Sequence, residues 1–197
     1  MSRSAEVRRG SPATTVVVRL ALDGRGRASA RSGVAAFDEL LEAFAAHGRF
    51  DLDVEAAGAG GDAHRVVASA GAALGDAFAR ALGAREGTRA IGDATVPVGG
   101  ALVRAACDLR GPALLAYGAA PPSWQLIGDY DVALTPEFWQ AFAGEARITL
   151  HLDRLRGDLA RPVTLATYAA AARALARAAE HDLRVEAGES AGEGGQR

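Results

Sequence analysis

Two stretches of this chain echo each other at a nearly constant spacing, and that echo narrows the possible folds more than anything else in it. Glu39-Leu40-Leu41-Glu42-Ala43-Phe44-Ala45 returns 98 positions later as Glu137-Phe138-Trp139-Gln140-Ala141-Phe142-Ala143. Ala79-Arg80-Ala81 returns 97 positions later as Ala176-Arg177-Ala178. One offset shared by separate segments predicts two similar halves, joined near Asp108 to Gly111 and packed as one pseudo-symmetric unit.

Each half reads as strands leading into helices. Thr15 to Leu22 is rich in β-branched residues and ends at Asp23-Gly24, a hairpin signal, which makes Arg25 to Arg31 the expected returning strand. Val34 to Ala46 sets Phe37, Leu40, Leu41 and Phe44 on one helical face, with Gly48 as its stop. Phe50 to Ala56 alternates apolar and acidic residues as a half-buried strand should, and Val66 to Leu82 is a second helix stopped by Gly83. The second half predicts strands over Thr95 to Cys107 and Ala113 to Tyr117, then a loop with Pro121, Pro122 and Gly128. A helix with Thr135 as N-cap and Pro136 in its first turn follows, then a strand over Arg147 to Leu152 and a helix over Val163 to His181. Alanine and glycine along the two longer helices permit close backbone approach, so four helices are expected in a tight central layer between two sheets. Residues 1–14 are expected to be a flexible N-terminus, Gly58 to Gly61 a flexible turn, and 186–197 a disordered tail.

Composition removes several classes of function. A net charge of -2 lacks the concentrated basic field that nucleic acid or an anionic membrane requires. A single cysteine, Cys107, forbids an intrachain disulfide and fits a reducing compartment. No secretory h-region and no apolar run near the roughly 18 residues of a span is present, so a cytoplasmic location is expected. All 22 basic residues are arginine, so Schiff-base, P-loop and general-base lysines are excluded.

Ser32 to Gly48 (SGVAAFDELLEAFAAHG), Gly61 to Gly83 (GDAHRVVASAGAALGDAFARALG), the run TLHLDRLRGD and the Ala-rich helix after it resemble the imidazoleglycerol-phosphate dehydratase family, from about Thr15 to Ala179. The resemblance implies an α+β fold: a duplicated two-half unit spanning 15–185, with halves about 15–107 and 112–185. Two four-stranded sheets would enclose a layer of four helices. It also implies a manganese lyase of histidine biosynthesis. In the family, two His-His-x-x-Glu clusters at helix starts and single histidines from two other helices hold two metal ions. Imidazole and carboxylate are suited to manganese, and the metal's hold on the substrate imidazole lets dehydration proceed. Family members form trimers that metal ions link into a 24-subunit shell.

At the matching positions this chain keeps the frame and changes the ligands. The first cluster falls on His64-Arg65-Val66-Val67-Ala68 and the second on Arg161-Pro162-Val163-Thr164-Leu165. The single histidines fall on Glu39 and Glu137. Substrate contacts depart too. The family's arginine is Ala90, its Met-Asp-Glu is Val98-Gly99-Gly100, its Ser-Gly-Arg-Pro becomes Arg110-Gly111-Pro112, and its helix lysine is Ala169. Only Ser190-Ala191-Gly192 stands near the place of its C-terminal Ser-Thr-Lys-Gly loop.

Eight positions therefore define a vestigial pocket: Glu39, His64, Arg65, Ala68, Glu137, Arg161, Pro162 and Leu165. No catalytic residue, cofactor or metal is expected from them. Arg65 and Arg161 are expected to pair with Glu39 or Glu137, a fixed cation replacing a lost one; the alternative is a new carboxylate site completed by His64. His47 is expected as an imidazolium at a helix end, His151 as a core or interface residue, and His181 as exposed. The expected protein is a non-catalytic paralogue acting through assembly or ligand binding, as a homotrimer or beside an intact dehydratase subunit. The alternatives are an active dehydratase, a carbon-oxygen lyase, or altered chemistry in the same pocket.

Overall fold

A computed structural model describes residues 3–11, 14–57, 62–122 and 125–182. The first half runs β1 (Ser4–Ser11), β2 (Thr14–Ala21), β3 (Ala28–Arg31), α1 (Ala35–Gly48), β4 (Asp51–Ala57) and α2 (Ala63–Leu82). The second runs β5 (Ile91–Val98), β6 (Ala101–Asp108), β7 (Leu114–Gly118), β8 (Leu126–Ile127), β9 (Tyr130–Asp131), α3 (Leu134–Ala146), β10 (Thr149–Arg156) and α4 (Ala160–Ala178). The sheets have the same topology, β1-β2-β4-β3 and β5-β6-β10-β7, and in each only the last pair is parallel. The duplicated α+β fold is as the sequence implied: two four-stranded sheets and four helices.

Several local expectations are corrected. Residues 4–11 are no loose N-terminus. They form β1, paired with β2 along its full length, with Val7 buried against the core. Asp23-Gly24 does not turn β2 into a hairpin, since β3 pairs in parallel with β4 instead. The chain from Ile91 to Asp108 is a hairpin, β5 and β6 closed by Gly99-Gly100, with Gly99 at φ 54 as such tight turns require. The halves therefore meet at 83–90, and Asp108 to Gly111 is a turn inside the second half. Thr135 is not the N-cap of α3: the helix begins at Leu134, and buried Thr135 shares a 3.0 Å hydrogen bond with the Tyr130 hydroxyl. The expected turn at 58–61 and tail at 186–197 lie outside the described residues.

The helices pair across the halves. Glu39 of α1 lies beside Arg161 of α4, and His64 of α2 beside Glu137 of α3, so each pair runs parallel with its N-termini together. Along the α2–α3 seam the approach is as close as backbones allow. A Cβ at Gly71 would lie 2.4 Å from the Phe138 carbonyl oxygen, and one at Gly75 2.4 Å from that of Phe142. Around this seam Phe37, Phe44, Phe78, Phe138, Trp139 and Phe142 are fully buried in edge-to-face and tilted contacts.

Candidate functional site

The two parallel pairs bring the vestigial positions to the entrances of the helix layer. At one entrance Arg161 Nη2 lies 2.5 Å from Glu39 Oε2; at the other His64 Nε2 lies 2.7 Å from Glu137 Oε2. These contacts are pseudo-symmetric equivalents. Arg161 follows His64 by 97 positions and Glu137 follows Glu39 by 98, the offsets of the repeat itself. Each entrance thus joins the first residue of one cluster to the single-histidine position of the other half.

The expectation for Arg161 is met, and that for Arg65 is corrected. Arg65 sits in the first turn of α2 and folds back on Asp62, which accepts from its backbone N–H at 3.2 Å and its guanidinium at 2.9 Å. A residue so placed serves its own helix cap. His64, one position earlier, is the one that reaches across to Glu137. Ala68, Pro162 and Leu165 offer no donor atom to a cation.

A pair of divalent cations does not fit this donor set. A metal held by protein takes three or four side-chain donors of suitable type, whereas one entrance offers an imidazole and a carboxylate and the other a carboxylate already bound to a guanidinium. Among the described residues no three His, Cys, Asp or Glu side chains are grouped as a metal would need. The alternative of a carboxylate site shared by Glu39, Glu137 and His64 fails as well, because the two glutamates serve separate entrances.

The positions that the resemblance assigned to substrate contacts have local structural partners. Gly99 and Gly100 make the β5–β6 turn, and Ala169 is buried. Arg110 directs its guanidinium at the Arg85 and Thr88 carbonyls, 3.1 and 3.4 Å away. His181 is exposed, as expected. His151 is exposed on the outer face of β10, since its alternating neighbours Leu150 and Leu152 face the core. His47 is in the last turn of α1, but its Nδ1 accepts a 3.3 Å hydrogen bond from Arg173 Nε. Burial first, and that guanidinium second, push its pKa below the ordinary histidine value, so the ring is neutral rather than an imidazolium.

Two residues missed in the sequence hold one entrance together. The N-cap of α1, Val34, has no capping side chain, but Asp129 between β8 and β9 accepts from the Ala35 and Ala36 N–H groups at 2.8 and 3.0 Å. Those bonds hold its carboxyl below the usual aspartate value. Gln125 Oε1 accepts from Ala160 N at the start of α4 at 3.2 Å. The β8–β9 insertion thus caps both helices of the α1–α4 pair, which no local sequence pattern announces.

Fold and entrances together define a duplicated α+β scaffold with two pairs of helix starts brought side by side. Solved structures with this architecture include imidazoleglycerol-phosphate dehydratase from Staphylococcus aureus subsp. aureus N315, with a TM-score of 0.80 at 23% identity over 91% of this chain and 99% of that one. The enzyme from Pyrococcus furiosus in complex with (S)-C348 gives 0.77 at 24% identity, over 91% and 96%. Residues 32–175 match the family model for imidazoleglycerol-phosphate dehydratase. Similar relatives bearing that name come from Aromatoleum aromaticum, 43% identical over 92% of this chain and 93% of the relative, and Pelobacter propionicus, 40% identical over 94% and 95%. The chain belongs to the imidazoleglycerol-phosphate dehydratase family.

Proposed function

We propose that this family member has exchanged metal coordination for ion pairing and acts without catalysing the dehydration, through assembly as a homotrimer or beside an intact dehydratase subunit in the cytoplasm. The observation that carries the reading is the matched pair of contacts, Glu39 with Arg161 and His64 with Glu137, at equivalent positions of the two halves. A guanidinium at a ligand position repels a divalent ion and occupies the carboxylate that would bind it. The same exchange bears on assembly. Metal bonds between subunits contribute on the order of 10 kcal/mol. The ion pairs in their place are between 44% and 61% exposed, and such pairs contribute only about 0–1 kcal/mol each. A trimer or smaller species follows, with no 24-subunit shell.

Complementation of a histidine auxotroph lacking its own dehydratase tests this reading, with elemental analysis and light scattering of the purified chain beside it. The expected outcome is no growth, substoichiometric manganese, zinc and iron, and a particle no larger than a trimer. Growth together with two bound ions per chain would overturn it.

One observation favours a second reading, active imidazoleglycerol-phosphate dehydratase. Relatives 40–43% identical over more than nine-tenths of the chain carry that enzyme's name. On this reading the chain converts imidazole glycerol phosphate to imidazole acetol phosphate by a donor set other than the family's eight ligands. Direct assay for imidazole acetol phosphate, with and without added manganese, decides between the two.

A further inference from the structure

The opposite end of the helix layer, away from both entrances, holds two clefts that the duplication makes comparable. One, about 590 Å³, lies where α1 and α4 end and is lined by His47, Arg49, Thr95, Arg173, Arg177 and Glu180 among others. Its twin, about 620 Å³, lies where α2 and α3 end and includes Asp76, Arg80, Glu145 and Arg147. At the repeat's offsets of 97 and 98, Arg177 answers to Arg80 and Arg49 to Arg147, while Arg173 answers to Asp76 and His47 to Glu145. The scaffold is shared, and two acids have given way to an arginine and a histidine.

That exchange changes what the arginines do. In the twin cleft Glu145 binds Arg9 through both oxygens at 2.5 and 2.6 Å, and Asp76 binds Arg80 at 2.8 and 2.9 Å, so two of its four arginines are held by acids, while Arg85 donates to the Leu109, Ala146 and Arg147 carbonyls. In the α1–α4 cleft Arg173 donates only to a neutral imidazole, and Arg177 to the Asp93 carbonyl at 2.8 Å, with that residue's carboxylate 3.9 Å away. The Arg49 guanidinium has no hydrogen-bond or ion-pair partner among the described residues. The one acid lining the cleft, Glu180, is taken by Arg89 at 2.8 Å. Favourable placement of cations at helix C-termini accounts for Arg177 in the last turn of α4 and for Arg49 at the C-cap of α1, but not for Arg173 a turn earlier. Three guanidinium groups share this concave site; Arg49 and Arg173 have no carboxylate partner and Arg177 has one only at 3.9 Å, a field that an anion would satisfy. The volume is within the range of small-molecule sites.

We propose that this cleft binds a phosphoryl group, free or carried by a small phosphate monoester, through Arg49, Arg173 and Arg177. Planar forks with parallel N–H donors fit phosphate oxygens in pairs, which is the reason for naming that chemistry. His47, accepting at Nδ1, carries its proton on Nε2 and adds a neutral donor to the cleft. The site is separate from the vestigial entrances, so it stands or falls independently of the function proposed above.

The test is calorimetric titration of the full chain at low ionic strength with inorganic phosphate and, separately, with glycerol phosphate. One anion per chain is expected, with glycerol phosphate tighter if the cleft reads the ester and phosphate equal or tighter if it takes the free ion. Arg173→Asp, which installs the twin cleft's acid, should weaken binding by about tenfold or more. Arg49→Ala should weaken it with little effect on folding, because its side chain is exposed; it serves as the readout if Arg173→Asp does not fold. Arg147→Ala, in the twin cleft, should leave binding unchanged. Absence of binding by either anion, or equal binding by wild type, Arg173→Asp and Arg49→Ala, would overturn the proposal. So would an equal loss in Arg147→Ala, which would mean diffuse charge and no built cleft.

Discussion

The α2–α3 seam and the entrance above it belong to the same two helices, yet they obey different rules. At the seam, Gly71 and Gly75 meet carbonyl oxygens of α3 so closely that one added carbon has nowhere to go. At the helix starts, His64 and Glu137 are 61% and 44% exposed and pair with each other. The difference is one of coupling. A seam residue is bound to the shape of the whole layer, while an entrance residue answers only to a ligand or a partner. An architecture can therefore be kept while the residues at such entrance positions change.

The contrast can be broken from its strong side first. Trp139→Ala, at the centre of the aromatic cluster, should cost about 3–5 kcal/mol in urea denaturation. A loss near zero would mean that the cluster is not the core. Gly75→Val should cost about 1–3 kcal/mol or prevent folding, because the obstacle is backbone rather than a movable side chain. Between seam and entrance stands Asp129→Ala, which removes the cap of α1 and should cost about 1 kcal/mol. Asp129 also sharpens the contrast through pH. Its folded pKa lies below its ordinary 3.8, so its contribution is fully present above that value and is lost as pH falls through the folded one. Thermal midpoints of wild type should fall on acidification below about pH 4, and those of Asp129→Asn less steeply. The smallest effect belongs to the entrance. Glu39→Gln should change stability by less than about 1 kcal/mol, with a Glu39/Arg161 coupling no larger in a double-mutant cycle. A coupling of several kcal/mol would show that the entrance is buried by another subunit.

Much of the fold could be read from the residues, and the exceptions have physical causes. Helices announce themselves because their buried faces repeat over several turns, so the echo of 39–45 in 137–143 survives. Strands retain only alternation, and β1 carries a single strongly apolar side chain, Val7, because one face of that edge strand is enough to attach it. The junction was misplaced for a related reason. Strands β1 and β5 start 87 positions apart, not 98, and the β8–β9 insertion before α3 supplies the difference, so an offset measured on helices cannot locate a boundary among strands. At the entrances, Arg161 against Glu39 was legible from position alone. The choice between adjacent His64 and Arg65 was not, because it turns on helix phase and on the pull of Asp62 at the cap. The capping by Asp129 and Gln125 spans 94 and 35 positions and leaves no local pattern.

The pairing of α1 with α4 and α2 with α3 makes each half the cover of the other's helices. Each half presents one helix to its sibling's partner, so a piece ending near residue 82 would expose the face of α1 that α4 covers and the face of α2 that α3 covers. Nicking the polypeptide between 83 and 90 should therefore yield two fragments that are insoluble apart and reconstitute when mixed. A gene for one half could have been stable only as two identical chains clasping each other, with its later fusion adding a connector and no new architecture.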